Sequence, residues 1–190
     1  MKESLSGKRI AFLATDGVEQ VELTEPQKAL EAAGATTEII APKSGEIKAW
    51  KFKEWGDKLK VDKSLDHANP SDYDALILPG GVINPDHLRM EPKAVQFVKD
   101  FARTGRPIAA VCHGPWTLIE AGLVRGKKMT SWPSLKTDLK NAGANWVDEA
   151  VVVDGNLITS RKPEDLTTFS RAIMDRVAPI DQTEPLRAAS

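Results

Sequence analysis

The chain has one cysteine, Cys112, and three histidines among its 190 residues. A single thiol excludes intrachain disulfides, and His67, His87 and His113 lack the short intervals that a metal site requires. Nothing in the sequence approaches the roughly 18 consecutive apolar residues of a membrane span. The N-terminal "MKESLSGKRIAFLAT" has neither the apolar core nor the small-residue cleavage site of a secretory signal. The expected location is therefore the cytoplasm. A basic excess is missing too: 26 Lys and Arg stand against 27 Asp and Glu, a formal charge of -1. Without an electrostatic footprint for nucleic acid, the expected partners are a small molecule, a peptide or a second copy of the chain. No metal or cofactor is called for. No internal repeat or low-complexity stretch divides the chain, so one domain is expected over 1–190, with its core at about 8–177 and a tail at 178–190 lacking any period.

What is present is an alternation. "RIAFLAT", "TTEIIAP", "DALILPGG" and "PIAAV" read as strands. "TEPQKALEAAGA" (Thr24 to Ala35), "EPKAVQFVKDFARTGRP" and "PWTLIEAGLVRG" read as helices between or after them. Strands so uniformly apolar have no wet face, which predicts an α/β fold whose mostly parallel sheet is covered on both sides. Gly45 to Asp62 alternates apolar and charged residues and predicts a half-exposed hairpin; Trp50, Phe52 and Trp55 are alternatively a stacking platform or partner surface. "EAVVVDGNLITSR" predicts a second hairpin, and "KPEDLTTFSRAIMDRV" a terminal helix with Pro163 in its first turn.

Cys112 falls where "PIAAV" ends and a helix begins. Ligands of parallel sheets bind outside the carboxyl ends of the strands. Ala110-x-Cys112-x-Gly114 has the small-x-nucleophile-x-small layout of a nucleophile elbow. A helix opening directly after the sulfur turns unsatisfied N–H groups toward it, which predicts a thiol with an enlarged thiolate fraction. The plain alternative is a small core hydrophobe, as most isolated cysteines are. Neighbouring side chains on such a bend do not normally face one another, so the His113 ring is expected to turn away from the sulfur unless a third group holds it. Its backbone N–H, with that of Gly81, is placed to receive an oxyanion.

Taken together, "DALILPGG", "PIAAVCHGPWTLIEAGLVRGKKMTS", "NAGANWVDEAVVVDGNLITSR" and "VEQVEL" resemble the PfpI intracellular protease family of the ThiJ/PfpI superfamily, in order from about Lys8 to Val177. The resemblance implies a flavodoxin-like three-layer sandwich, class I glutamine amidotransferase-like, which forms a homodimer or a larger oligomer. It implies that Glu22 lies against the sulfur as a protonated carboxyl. It also implies a Cys-His-acid triad closed by a carboxylate from the adjoining subunit, here Asp86 of "NPDHLR". The plain alternative for Asp86 is a helix or turn cap, and for Glu19 a solvated carboxylate at a helix start. Trp116 and Trp132 wall the pocket or fill the core. Arg161 holds a substrate carboxylate or pairs at the surface, and His87 reads as a surface residue.

The expectation that follows is a stress-related cysteine-dependent hydrolase, either a peptidase or a deglycase/glyoxalase-like enzyme acting on small carbonyl compounds through Cys112. The alternative is a stress protein without turnover, an oxidation sensor or holdase using the same thiol. An amidotransferase-type ammonia source is disfavoured because no late His-x-Glu pair is present.

Overall fold

A computed structural model describes residues 4–178. The chain alternates β1 (Arg9–Leu13), α1 (Gln20–Ala32), β2 (Thr36–Ala41), the hairpin strands β3 (Glu46–Lys51) and β4 (Glu54–Lys60), β5 (Lys63–Ser64) and β6 (Ala75–Leu78). Then follow α2 (Ile83–Met90), α3 (Pro92–Arg103), β7 (Ile108–Val111), α4 (Pro115–Glu120), β8 (Lys128–Met129) and α5 (Lys136–Asn141). The last elements are β9 (Asn145–Trp146), β10 (Val151–Asp154), β11 (Leu157–Ser160) and α6 (Leu166–Val177). Of the expected tail, all but Ala178 lies outside the described residues. Among the described residues, no helix is long and apolar enough to cross a membrane.

The main sheet runs β10-β11-β7-β6-β1-β2-β5, parallel except for the β10–β11 hairpin. Every residue of β6 and β7 is buried. Strands with no polar face need cover on both sides, and the two faces are packed separately. Phe12, Ile77 and Ala109 align across β1, β6 and β7 and turn to the face covered by α1 and α6 through Leu23, Leu30, Phe169 and Ile173. The alternate residues, among them Leu13, Leu76, Leu78 and Ala110, face α3, α4 and α5 through Val98, Phe101, Leu118 and Leu139. This is the three-layer, mostly parallel sandwich expected from the sequence.

Two local differences matter for the site. The first helix starts at Gln20, one turn before the expected Thr24, and carries Pro26 inside it. The earlier turn is closed by the Glu22 N–H donating to the Glu19 carbonyl (3.1 Å), and it brings the buried Glu22 and Leu23 onto the sheet. The segment after "LPGG" forms a helix of its own, α2, which buries Asn84, Pro85 and Leu88. From β1 the chain moves outward to β2, whereas β6 and β7 lie on the other side of β1. The order therefore switches between β1 and β6, and a crevice opens beyond their carboxyl ends.

Candidate active site

Three loops converge at that crevice: the one after β1, the "PGG" after β6 and Cys112-His113-Gly114 after β7. Cys112 has φ 59°, a left-handed conformation that costs a non-glycine residue about 1–2 kcal/mol. The surroundings hold it there. Its N–H donates to the Ser160 carbonyl at the end of β11 (3.2 Å), and its carbonyl accepts from the Trp132 N–H (3.0 Å). The bend is tight enough that a Cβ on Gly114 would stand 2.4 Å from the Leu78 carbonyl oxygen, and one on Gly80 would stand 2.7 Å from the Cys112 Cβ. The elbow geometry read from Ala110-x-Cys112-x-Gly114 is present.

Glu22 lies beneath the sulfur, 1% exposed. Its Oε2 accepts the Gly80 N–H at 2.9 Å, while Oε1 is buried with no hydrogen-bond partner among the described residues. Burial pushes this carboxyl up to about 8, so at neutral pH it carries its proton. Burial pushes the Cys112 thiol up as well, against the smaller opposing pull of the Gly81 and His113 N–H groups that face the sulfur; Glu22 adds to the rise only where its carboxyl is ionised. Burial lowers His113 to about 4. Burial thus favours the neutral form of all three groups at pH 7: thiol, carboxylic acid and imidazole.

Burial works against the expected thiolate. The helix meant to supply the field, α4, has only six residues and begins with Pro115, which has no N–H to offer, while Cys112 is 8% exposed. Desolvation exceeds the local dipole. The His113 ring also differs from expectation: its Nδ1 lies 3.2 Å from the Cys112 Sγ. Two tryptophans hold it there, Trp116 edge-on with centroids 5.0 Å apart and Trp132 stacked at 6.1 Å.

The remaining expected residues are scattered. Trp132 lines the cavity above Cys112; Trp116 packs behind His113 and donates its Nε1–H to Asp138 (3.0 Å). Asp86, on α2, is half-exposed and paired within its own protomer to Arg89 (3.0 Å), whose guanidinium sits 4.6 Å above the Trp116 ring. The only hydrogen bond of the His113 ring among the described residues is the one to sulfur. Arg161 does not line the cavity, because Asp165 and Asp148 hold its guanidinium at 2.9 and 2.8 Å.

The cavity itself encloses about 480 Å³ and is bounded by Cys112, His113, Glu19, Glu22, Trp50, Phe52, Val82, Ile83, Trp132 and the Pro163-Glu164 pair, among others. Several of these were not singled out as site residues from the sequence. Asn84 is fully buried and ties two of the converging loops together: its Oδ1 accepts from the Thr15 N–H (2.8 Å) and its Nδ2 donates to the Pro79 and Gly80 carbonyls. Glu19 is buried rather than solvated, and its carboxyl is raised by burial. It accepts the N–H of Phe52 at the tip of the β3–β4 hairpin (3.3 Å). Their positions depend on how a hairpin and a helix pack, and no local spacing signals it.

The sequence matches the DJ-1/PfpI family over residues 8–176. The chain belongs to that family. Among its relatives is "Putative cysteine protease YraA" of Bacillus subtilis, 43% identical over 164 residues, which covers 86% of this chain and 95% of that protein. "Protein/nucleic acid deglycase 2" of Escherichia coli is 43% identical over 165 residues, 86% of this chain and 94% of that protein. The fold superimposes with a TM-score of 0.84 and 38% identity on a two-domain Anabaena variabilis protein with DJ-1/ThiJ/PfpI-like and ferritin-like domains, over 94% of this chain and 52% of that one. The DJ-1/PfpI match thus spans the three loops around Cys112.

Proposed function

We propose that this family member is a cysteine-dependent hydrolase of deglycase type, acting on the carbonyl-derived adduct of a small aldehyde. One observation carries the reading: the Cys112 thiol on a strained elbow, 3.2 Å from the His113 imidazole nitrogen, faces a half-open cavity of about 480 Å³. That volume suits a side-chain-sized adduct. As the sulfur bonds to the carbonyl carbon, the thiol proton passes to His113 Nδ1 and the π pair moves onto oxygen. The N–H groups of Gly81 and His113, which face the sulfur, receive the developing oxyanion. The attacked carbonyl carbon is the one bonded to nitrogen: collapse of the tetrahedral adduct expels the amine, which takes the proton back from His113. Water then attacks the resulting thioester, giving its proton to His113 and on to the departing sulfur, so that the acid is released and the thiol restored. Protonated Glu22 contributes no competing negative charge.

The resting pair needs no acid partner for its imidazole, but the imidazolium formed on proton transfer does. Asp86 of an adjoining protomer supplies it in this proposal, so the active form is an oligomer. Names of relatives as deglycase and as cysteine protease support hydrolytic carbonyl chemistry at this site. The test is direct. Wild type and Cys112→Ala are incubated with methylglyoxal adducts of amino acids and with unfolded casein. Adduct loss by wild type alone is expected; equal performance of the two proteins overturns the proposal, and cleavage of casein without adduct loss moves it to a peptidase.

A further inference from the structure

The tip of the β3–β4 hairpin hangs over the Cys112 cavity in a conformation that the chain holds at some cost. Phe52 has φ 57°, and among the described residues only Cys112 shares a positive φ without being glycine. Three contacts fix the tip. The Glu19 carboxylate accepts the Phe52 N–H (3.3 Å), the Trp50 indole donates to the Phe52 carbonyl (3.0 Å), and the Trp50 N–H donates to the Val18 carbonyl (2.7 Å). Trp55 packs edge-on against Trp50 at 5.3 Å from the other strand. This bracing has no counterpart in burial, because the Phe52 side chain is 66% exposed. A large apolar ring left in solvent, on a backbone that disfavours it, gains nothing for the fold. It does line the cavity, together with Trp50, Trp132, Val82, Ile83 and Pro163.

We infer that Phe52 is a specificity-determining residue: it forms an aromatic lip, positioned by Glu19, that selects substrates bearing a flat apolar group beside the reacting carbonyl. The apolar part of the wall carries the argument: Trp50, Trp132, Val82 and Ile83 present aromatic or branched surfaces that a three-carbon carbonyl compound leaves largely unfilled. A planar group fills the space between lip and floor and gains stacking and area against Phe52. Glu19 acts through the lip and is a positioning residue. The inference rests on Cys112 being the reacting atom of the proposed function.

The test separates the two readings by using alkylation, which needs no turnover. Second-order rates of Cys112 modification are measured with N-benzyl iodoacetamide and with iodoacetamide, which share one leaving group and one reaction. Wild type is expected to favour the benzyl reagent. Phe52→Asn removes the ring while tolerating the left-handed backbone, so the tip keeps its shape. The benzyl preference should fall by about fivefold to tenfold, with the iodoacetamide rate unchanged within about twofold. Phe52→Tyr should retain the preference, and Glu19→Ala should lose it with the ring still present. A benzyl preference unchanged in Phe52→Asn, or equal changes with both reagents, overturns the lip. Parallel assays with the phenylglyoxal and methylglyoxal adducts of amino acids report on the proposed function itself: no adduct loss with wild type, with the alkylation pattern intact, refutes the hydrolase and leaves the lip standing.

Discussion

Replacing Glu22 with Gln tests the neutral site through protein stability. A carboxyl that keeps its proton to about pH 8 in the fold, against an ordinary 4.5, binds an extra proton in the folded state between those limits. Its contribution to stability is full below about pH 4.5, falls as pH rises and is exhausted near pH 8. At about 1.4 kcal/mol per pH unit the whole fall is on the order of 5 kcal/mol. His113 works in the opposite sense. Lowered from 6.5 to about 4, it withholds stability as pH falls through that window, on the order of 3 kcal/mol. The two slopes cancel between about pH 4.5 and 6.5, which hides each of them in wild type. Glutamine is the isostere of the protonated acid: its carbonyl accepts the Gly80 N–H and its amide reaches the sulfur. Glu22→Gln should therefore match wild type near pH 4.5 and become progressively more stable toward pH 8. In urea, with a slope near 2 kcal/mol/M, the midpoint difference should open to about 2 M. Denaturation midpoints at half-unit intervals from pH 4.5 to 8.5 give the curve. A flat difference, or a variant that loses ground as pH rises, refutes the buried, protonated carboxyl.

Two further predictions concern the oligomer and the elbow. Cys112→Ala and Asp86→Ala should each be inactive alone, yet regain activity when unfolded and refolded together, since a mixed oligomer holds one site with an intact cysteine and a neighbour's intact Asp86; no regain rejects the shared triad. Gly114→Ala forces a methyl to 2.4 Å from the Leu78 carbonyl at a residue whose own φ of -48° is ordinary, so the effect is steric alone. A destabilisation of about 3 kcal/mol is expected, which lowers the melting temperature by about 6–12 °C by calorimetry.

The architecture and the elbow were legible because both are written locally. Four uniformly apolar runs are enough to require a sheet buried on both faces, and Ala110 and Gly114 flanking Cys112 at two residues' distance report the bend directly. The electrostatics were not legible. Whether a thiol at a helix start is a thiolate depends on the balance between dipole and desolvation, and the spacing around Cys112 does not report how deeply the fold buries it. Glu22 itself was placed only through the family resemblance, since the helix was expected to start after it. Asn84 carries no spacing signal of its own, although it ties the Thr15 loop to the Pro79-Gly80 loop. Arg161 shows the reverse case, a basic residue at the end of β11 that two aspartates hold outside the cavity.

In the proposed mechanism, a neutral resting site means that charge separates at Cys112 only during attack. A preformed thiolate and imidazolium in this crevice would place two charges in a space that already drives Glu22 to keep its proton and His113 to refuse one. Separating those charges only when a carbonyl is seated lets the substrate's own oxygen carry the negative charge toward the Gly81 and His113 N–H groups. The same arrangement bears on the sensor alternative. Peroxide reacts with thiolates, and sensor cysteines are exposed and low in pKa, whereas Cys112 is buried and pushed the other way. Desolvation that disfavours an oxidation sensor costs the proposed hydrolase little, because in that mechanism bound substrate and His113 create the nucleophile at the moment of attack.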